Sequence, residues 1–190
     1  MKASGPEGGA PDRGVDKPPL IMTIGHSTRS AEQFLALLQA HGITGIADVR
    51  KMPGSRRHPH FAREALSAFL AAHRIAYEHF PGLGGLRKPL ANSRNTGWRH
   101  PSFRAYADHM ASAEFQTALE HLLNFSQKFV AAVMCAESQW WQCHRQLIAD
   151  ALVARGIEVR HIMSATSAPA HELTSFARVT GPEVWYPGLV

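Results

Sequence analysis

The run Phe129-Val130-Ala131-Ala132-Val133-Met134 has no polar residue on either of the two faces that a strand would present. A strand half-exposed to water alternates apolar and polar side chains. One that is apolar throughout is covered on both sides, as strands of parallel sheets are. Such a strand needs flanking layers above and below it, and the chain supplies candidates. Residues 20–24 are a short apolar run closed by Gly25. A helical pattern follows, with Ser30 as its cap, Phe34, Leu35, Leu37 and Leu38 inward and Gly42 at its end. Residues 43–49 are then apolar again. Strand, helix of about three turns, strand is a βαβ unit, and its two strands run parallel.

The rest of the chain continues this alternation. Pro53, Gly54 and Pro59 break it into a loop carrying Arg56, Arg57, His58 and His60. A helix is predicted over 63–73 and a strand over 75–80. An irregular stretch over 81–101 follows, long enough to suggest a functional or mobile segment. Helical pattern returns over 102–124 with a break near Ser112, and residues 129–134 are the candidate central strand. A helix over 143–155, a strand over 158–163 and a short helix over 171–178 complete the reading. The fold class is α/β: one domain with a largely parallel sheet of about five strands flanked by helices, Rossmann-like and three-layered. Its expected limits are 20–178, between a flexible N-terminal tail over 1–19 and a C-terminal tail over 179–190. A chain of 190 residues suits one such core.

No apolar run is long enough to span a bilayer, and the N-terminal tail lacks the apolar centre of a signal peptide. Cytoplasmic residence is the resulting expectation. In that compartment Cys135 and Cys143 point to thiol chemistry, metal binding or packing rather than to a disulfide. The formal charge of +5 and the pI near 9.6 favour anionic partners, nucleotides and nucleic acid among them.

Three predicted strands end in chemically capable residues: the first in Gly25-His26-Ser27, the second in Asp48-Val49-Arg50, the fourth in Cys135-Ala136-Glu137. In a parallel sheet these ends share the carboxyl edge, where open α/β sheets bind ligands. Cys143, His144 and Arg145 fall in the first predicted turn of the next helix. Cations there oppose the helix dipole by roughly 0.3–1 kcal/mol each. A bound anion at the helix start would remove the conflict, and so would an ion pair between Glu137 and Arg145. The dipole would also favour a Cys143 thiolate, with His144 or His26 as its base. A phosphatase with arginine six positions after its cysteine is disfavoured, because Trp141 stands there.

The expected catalytic set is therefore His26, Asp48, Glu137, Cys143 and His144, with Ser27, Arg50, Ser55 and Arg145 holding an anion. The leading reading is an enzyme or ligand-binding domain for a phosphate-bearing or nucleotide-like small molecule. If it is an enzyme, hydrolase or transferase chemistry at a Cys/His/Glu/Arg site is expected. A nucleic-acid module using Arg56, Arg87, Lys88, Arg94 and Arg99, with Trp98 stacking on a base, is a second. A metal-dependent enzyme drawing ligands from Cys135, Glu137, Cys143, His144 and His26 is a third. The Cys135–Cys143 spacing is not that of a zinc finger, and Gly82-Leu83-Gly84-Gly85 lacks the rest of a P-loop. Of Trp140 and Trp141, one is expected to pack under the site and the other to face a planar ligand.

With these residues in view, the chain resembles the family of domains of unknown function numbered 488. The resemblance rests on Thr23-Ile24-Gly25-His26-Ser27, on Asp48-Val49-Arg50 with Pro53, Ser55 and Arg56, and on Leu83-Gly84-Gly85. Cys135-Ala136-Glu137, Cys143-His144-Arg145 with Ile148-Ala149, and His171 with Leu173-Thr174 complete it. It implies a compact α/β protein of prokaryotic type with an active site and supplies no substrate.

Overall fold

The computed structural model describes residues 19–54 and 57–188. Strands β1 (Leu20–Gly25), β2 (Gly45–Asp48), β3 (Ala76–His79), β4 (Ala131–Cys135) and β5 (Glu158–His161) form one sheet in the order β3-β2-β4-β1-β5. Every neighbouring pair is parallel. Successive side chains alternate between two cores. Ile21, Ala131, Val133 and Cys135 face helices α3 (Pro101–Met110), α4 (Ala113–Lys128) and α5 (Arg145–Val153). Met22, Ile24, Ala132 and Met134 face helices α1 (Ala31–Ala40) and α2 (Arg63–Ala72) through Phe34, Leu38, Leu66 and Leu70. The expected three-layer α/β architecture is present, and the all-apolar strand lies at its centre.

Local signals explain where the elements begin and end. Ser30 and Gln33 form a reciprocal capping box at the start of α1. Ser112 ends the α3 segment and caps α4 through Phe115 N, which is the break foreseen there. The chain leaves β1 toward α1 on one face and β4 toward α5 on the other. The crevice between their carboxyl ends is thus the switch point at which such sheets admit ligands.

Three expectations change. β4 starts two residues later than read: Phe129 caps α4, and Val130 is 46% exposed. Cys135 therefore belongs to the strand. The helix expected from Cys143 starts at Arg145, because Cys143 is extended (φ −138°, ψ 152°) after a 3-10 turn over Trp140–Gln142, and His144 is the cap. No helix forms over 171–178. There His171 N donates to Val159 O of β5, Thr174 N to Asp150 Oδ1, and Arg178 already belongs to a following strand, so the backbone of this segment is drawn into other bonds than helical ones. Past it, β6 (Arg178–Thr180) and β7 (Glu183–Trp185) make an antiparallel hairpin, and Tyr186 is fully buried in the α3–α5 core. The N-terminal tail expectation falls on 1–18, and Ser55 and Arg56 on 55–56, all outside the described residues. Among the described residues, no helix is long and apolar enough to cross a membrane.

Candidate functional site

Cys135 closes β4, Cys143 follows the 3-10 turn, and His144 caps α5, so backbone geometry brings two thiols and an imidazole to the carboxyl edge. His144 Nε2 lies 3.1 Å from Val49 O, the carbonyl just beyond β2. A carbonyl only accepts, so Nε2 carries a proton, and in the neutral ring Nδ1 presents a lone pair. That nitrogen stands 3.6 Å from Cys143 Sγ and 3.9 Å from Cys135 Sγ. Both cysteines are free and buried. The thiols titrate as one pair. The hydrogen bond from Cys135 holds Cys143 well below the usual thiol range, against its burial and with help from His144 and Arg145. The same bond, together with burial, pushes Cys135 well above it.

These residues form the floor of a cavity of about 760 Å³. Its walls are Trp98, Phe103, Tyr106 and Trp141, and Arg50, Lys51, His100 and Glu137 add charge and polarity. Trp141 is 44% exposed at the mouth, whereas Trp140 stacks flat on buried His161 at 4.0 Å. Trp140 is therefore the packed one of the two and Trp141 the exposed one. Gly85 lies against His144: a Cβ there would come 3.2 Å from Nδ1. The glycine stretch, read as a turn, is a 3-10 turn over Pro81–Leu83 that brings Gly85 to this position.

His26 and Asp48 belong to a buried tier behind the cavity. Arg50 joins them, with Nε and Nη2 on the Asp48 carboxylate and Nη1 on Phe61 O and, at 3.3 Å, on His26 Nε2. Tyr77 OH also donates to Asp48. His26 Nδ1 faces Ser27 O and its ring stacks on Phe61 at 4.2 Å. Burial lowers its pKa to about 4, so it is neutral here. Ser27 continues the β1–β4 ladder through its N–H to Ala136 O and does not line the cavity.

Arg145, expected to hold an anion, turns the other way. It is 1% exposed and donates through Nη2 to Glu137 O (2.5 Å) and Ser138 O (3.2 Å). The loop carbonyls after β4 accept from the Arg145 cation at the helix start, and the Glu137 side chain forms no ion pair with it. They also explain Gly25, where a Cβ would collide with Glu137 O at 1.8 Å.

The basic stretch over 81–101 is pinned to the body. Arg87 pairs with Glu114, Arg94 with Glu183, and Asn95 bridges Asp108 to Tyr186 N. Trp98 packs against Phe103, Phe176 and Tyr186 while lining the cavity.

Sequence reasoning did not find the cavity walls, the role of Val49 O, or a second buried polar chain. In that chain Thr23 Oγ1 lies 2.7 Å from His161 Nδ1, His161 Nε2 lies 3.0 Å from His171 Nδ1, and His171 Nε2 donates to Asp150 (2.8 Å). Asp150 accepts from Thr174 N and Tyr186 OH as well. A buried aspartate in the middle of an apolar helix was the available signal.

The sequence profile of the family described as "Domain of unknown function DUF488" matches residues 30–152, a span that includes Arg50, Cys135, Cys143 and His144. No curated protein and no solved structure matches the chain.

Proposed function

The chain belongs to the DUF488 family, and from that premise we propose that it is a cytoplasmic enzyme, a hydrolase or transferase, acting on a small anionic molecule with a planar part. The observation that carries this reading is Nδ1 of His144, which faces two thiols on the floor of a roomy cavity at the carboxyl edge of the sheet. The protein pairs this nitrogen only with sulfur, at 3.6 and 3.9 Å, and it lies in a cleft, where ligands bind. The aromatic walls suit a planar group. Lys51, with the flank of Arg50, supplies positive charge for an anion, and His100 adds a polar edge. Glu137 is the acid–base candidate at the mouth, and His144 the one on the floor. Arg50, Asp48 and His26 act as positioning residues, fixing the loop after β2 whose Val49 carbonyl orients His144. A small-molecule reading is favoured over nucleic acid because Arg87 and Arg94 already have carboxylate partners.

Thermal-shift measurements with inorganic phosphate, mononucleotides and aromatic carboxylates test the proposal. At least one should raise the melting temperature, and Trp141→Ala or Lys51→Ala should weaken that shift. A panel without effect on the wild type, or a shift that survives both substitutions and His144→Ala, counts against this cavity as the binding site.

A further inference from the structure

We infer that Cys135 Sγ, Cys143 Sγ and His144 Nδ1 form a three-ligand site for one zinc-class metal ion, with its fourth position open to the cavity. The inference deepens the reading above and rests on that cavity being the site.

Geometry is the first support. Zn–S bonds of about 2.3 Å and Zn–N bonds of about 2.0–2.1 Å at tetrahedral angles require S···N edges of about 3.6 Å and an S···S edge of about 3.8 Å. The observed S···N separations are 3.6 and 3.9 Å, and all three ligand atoms lie within 4.8 Å of one another. A cation among the three atoms satisfies them together.

The surroundings supply two further observations. His144 donates its other ring nitrogen to Val49 O, the backbone support that fixes tautomer and orientation in metal-binding histidines. Gly85 carries no side chain into the space before Nδ1, where a Cβ would stand at 3.2 Å. Two soft thiolates and an imidazole select zinc over magnesium or calcium. Three protein ligands facing a cavity are the arrangement of catalytic rather than structural zinc, in which the open position polarises a substrate oxygen or activates a water. His26 and Glu137, also read from the sequence as ligand types, fall outside the set. His26 sits in the buried tier with Arg50, and Glu137 is exposed at the mouth.

The test uses the full-length chain without a histidine tag, reduced, stripped with a chelator and titrated with Co²⁺. The expected result is one equivalent bound, with tetrahedral visible bands and an intense thiolate-to-cobalt charge-transfer band in the near ultraviolet, both abolished by one equivalent of Zn²⁺. Cys143→Ser and Cys135→Ser should each weaken Zn²⁺ binding by at least about 100-fold. Because the wild-type spectrum needs no variant, failure of either variant to fold leaves the test intact. Uptake without the charge-transfer band would assign the metal to surface histidines and overturn the proposal. So would reduced protein that takes up no cobalt while both thiols alkylate freely. Ligand shifts in metal-free protein are measured separately, so loss of the metal site and loss of the small-molecule reading give different results.

Discussion

Two histidine clusters lie on the α3–α5 side of this sheet, and they are built on opposite plans. In the chain from Thr23 through His161 and His171 to Asp150, each ring nitrogen has a polar partner within 3.0 Å, and Trp140 seals one ring. Around His144 the accounting stops short: Nε2 is satisfied by Val49 O, while Nδ1 faces two thiols and open space. The contrast separates a structural histidine from a chemical one better than burial or pKa does. A group whose hydrogen bonds close on the protein stabilises the fold; one left open in a cleft awaits something from outside.

That contrast predicts that damage to the two clusters will be felt in different measurements. The largest effect is expected for Asp150→Ala, which strands His171, Thr174 N and Tyr186 OH at once. It should cost about 3–5 kcal/mol, lowering the melting temperature by roughly 10–15 °C. Well below that temperature, the reaction of Cys143 with a small electrophile should be unchanged. Altered thiol reactivity in the folded variant would show that the two clusters are coupled.

Acid should act next, through His161 of the closed cluster and through His26 beside Arg50. Burial holds His161 to about 3 and His26 to about 4, against 6.5 for an ordinary histidine. Between those values and 6.5 the unfolded chain binds the extra protons, so stability is complete above about pH 6.5 and falls as the pH drops toward 4. A melting temperature lower by roughly 5–10 °C at pH 5 than at pH 7 is expected. His161→Gln should remove about half of that slope. A flat profile would mean that these rings are charged in the folded protein.

His144→Ala should reverse the pattern of Asp150→Ala. Loss of one hydrogen bond to Val49 O costs about 1 kcal/mol, a few degrees, whereas thiol reactivity should fall by at least about tenfold. Stability loss rivalling that of Asp150→Ala would make His144 another structural residue. The smallest effect on stability belongs to Gly85→Ala, below about 1 kcal/mol. Its added methyl should nonetheless weaken Zn²⁺ binding, and unaltered binding would mean that the space before Nδ1 is not used.

Much of the fold was legible because it rests on local patterns. The apolar run at β4, the Ser30 cap and the Ser112 break each act within a few residues. The gathering of His26, Arg50 and Cys135 at one edge followed from parallel strands. What escaped the sequence depends on partners far along the chain. Arg145 reads as an anion ligand until Glu137 O and Ser138 O are in place around it, and nothing near residue 145 announces those carbonyls. Residues 171–178 have a helical pattern, but β5, Asp150 and β6 claim their backbone at His171, Thr174 and Arg178. The cavity walls Trp98 and Tyr106 come from a segment whose position is set by Asn95, Asp108 and Tyr186, up to 91 residues apart.

Strand order carries a consequence for how this molecule comes into being. β4 lies between β1 and β2, yet it is the fourth strand to leave the ribosome, and without it the first two have no ladder between them. A nascent chain ending before residue 131 holds three strands in two unconnected groups and lacks both thiols. Insertion of β4 joins the halves and delivers Cys135 in the same event, so reactivity at the carboxyl edge arises only when the sheet is whole.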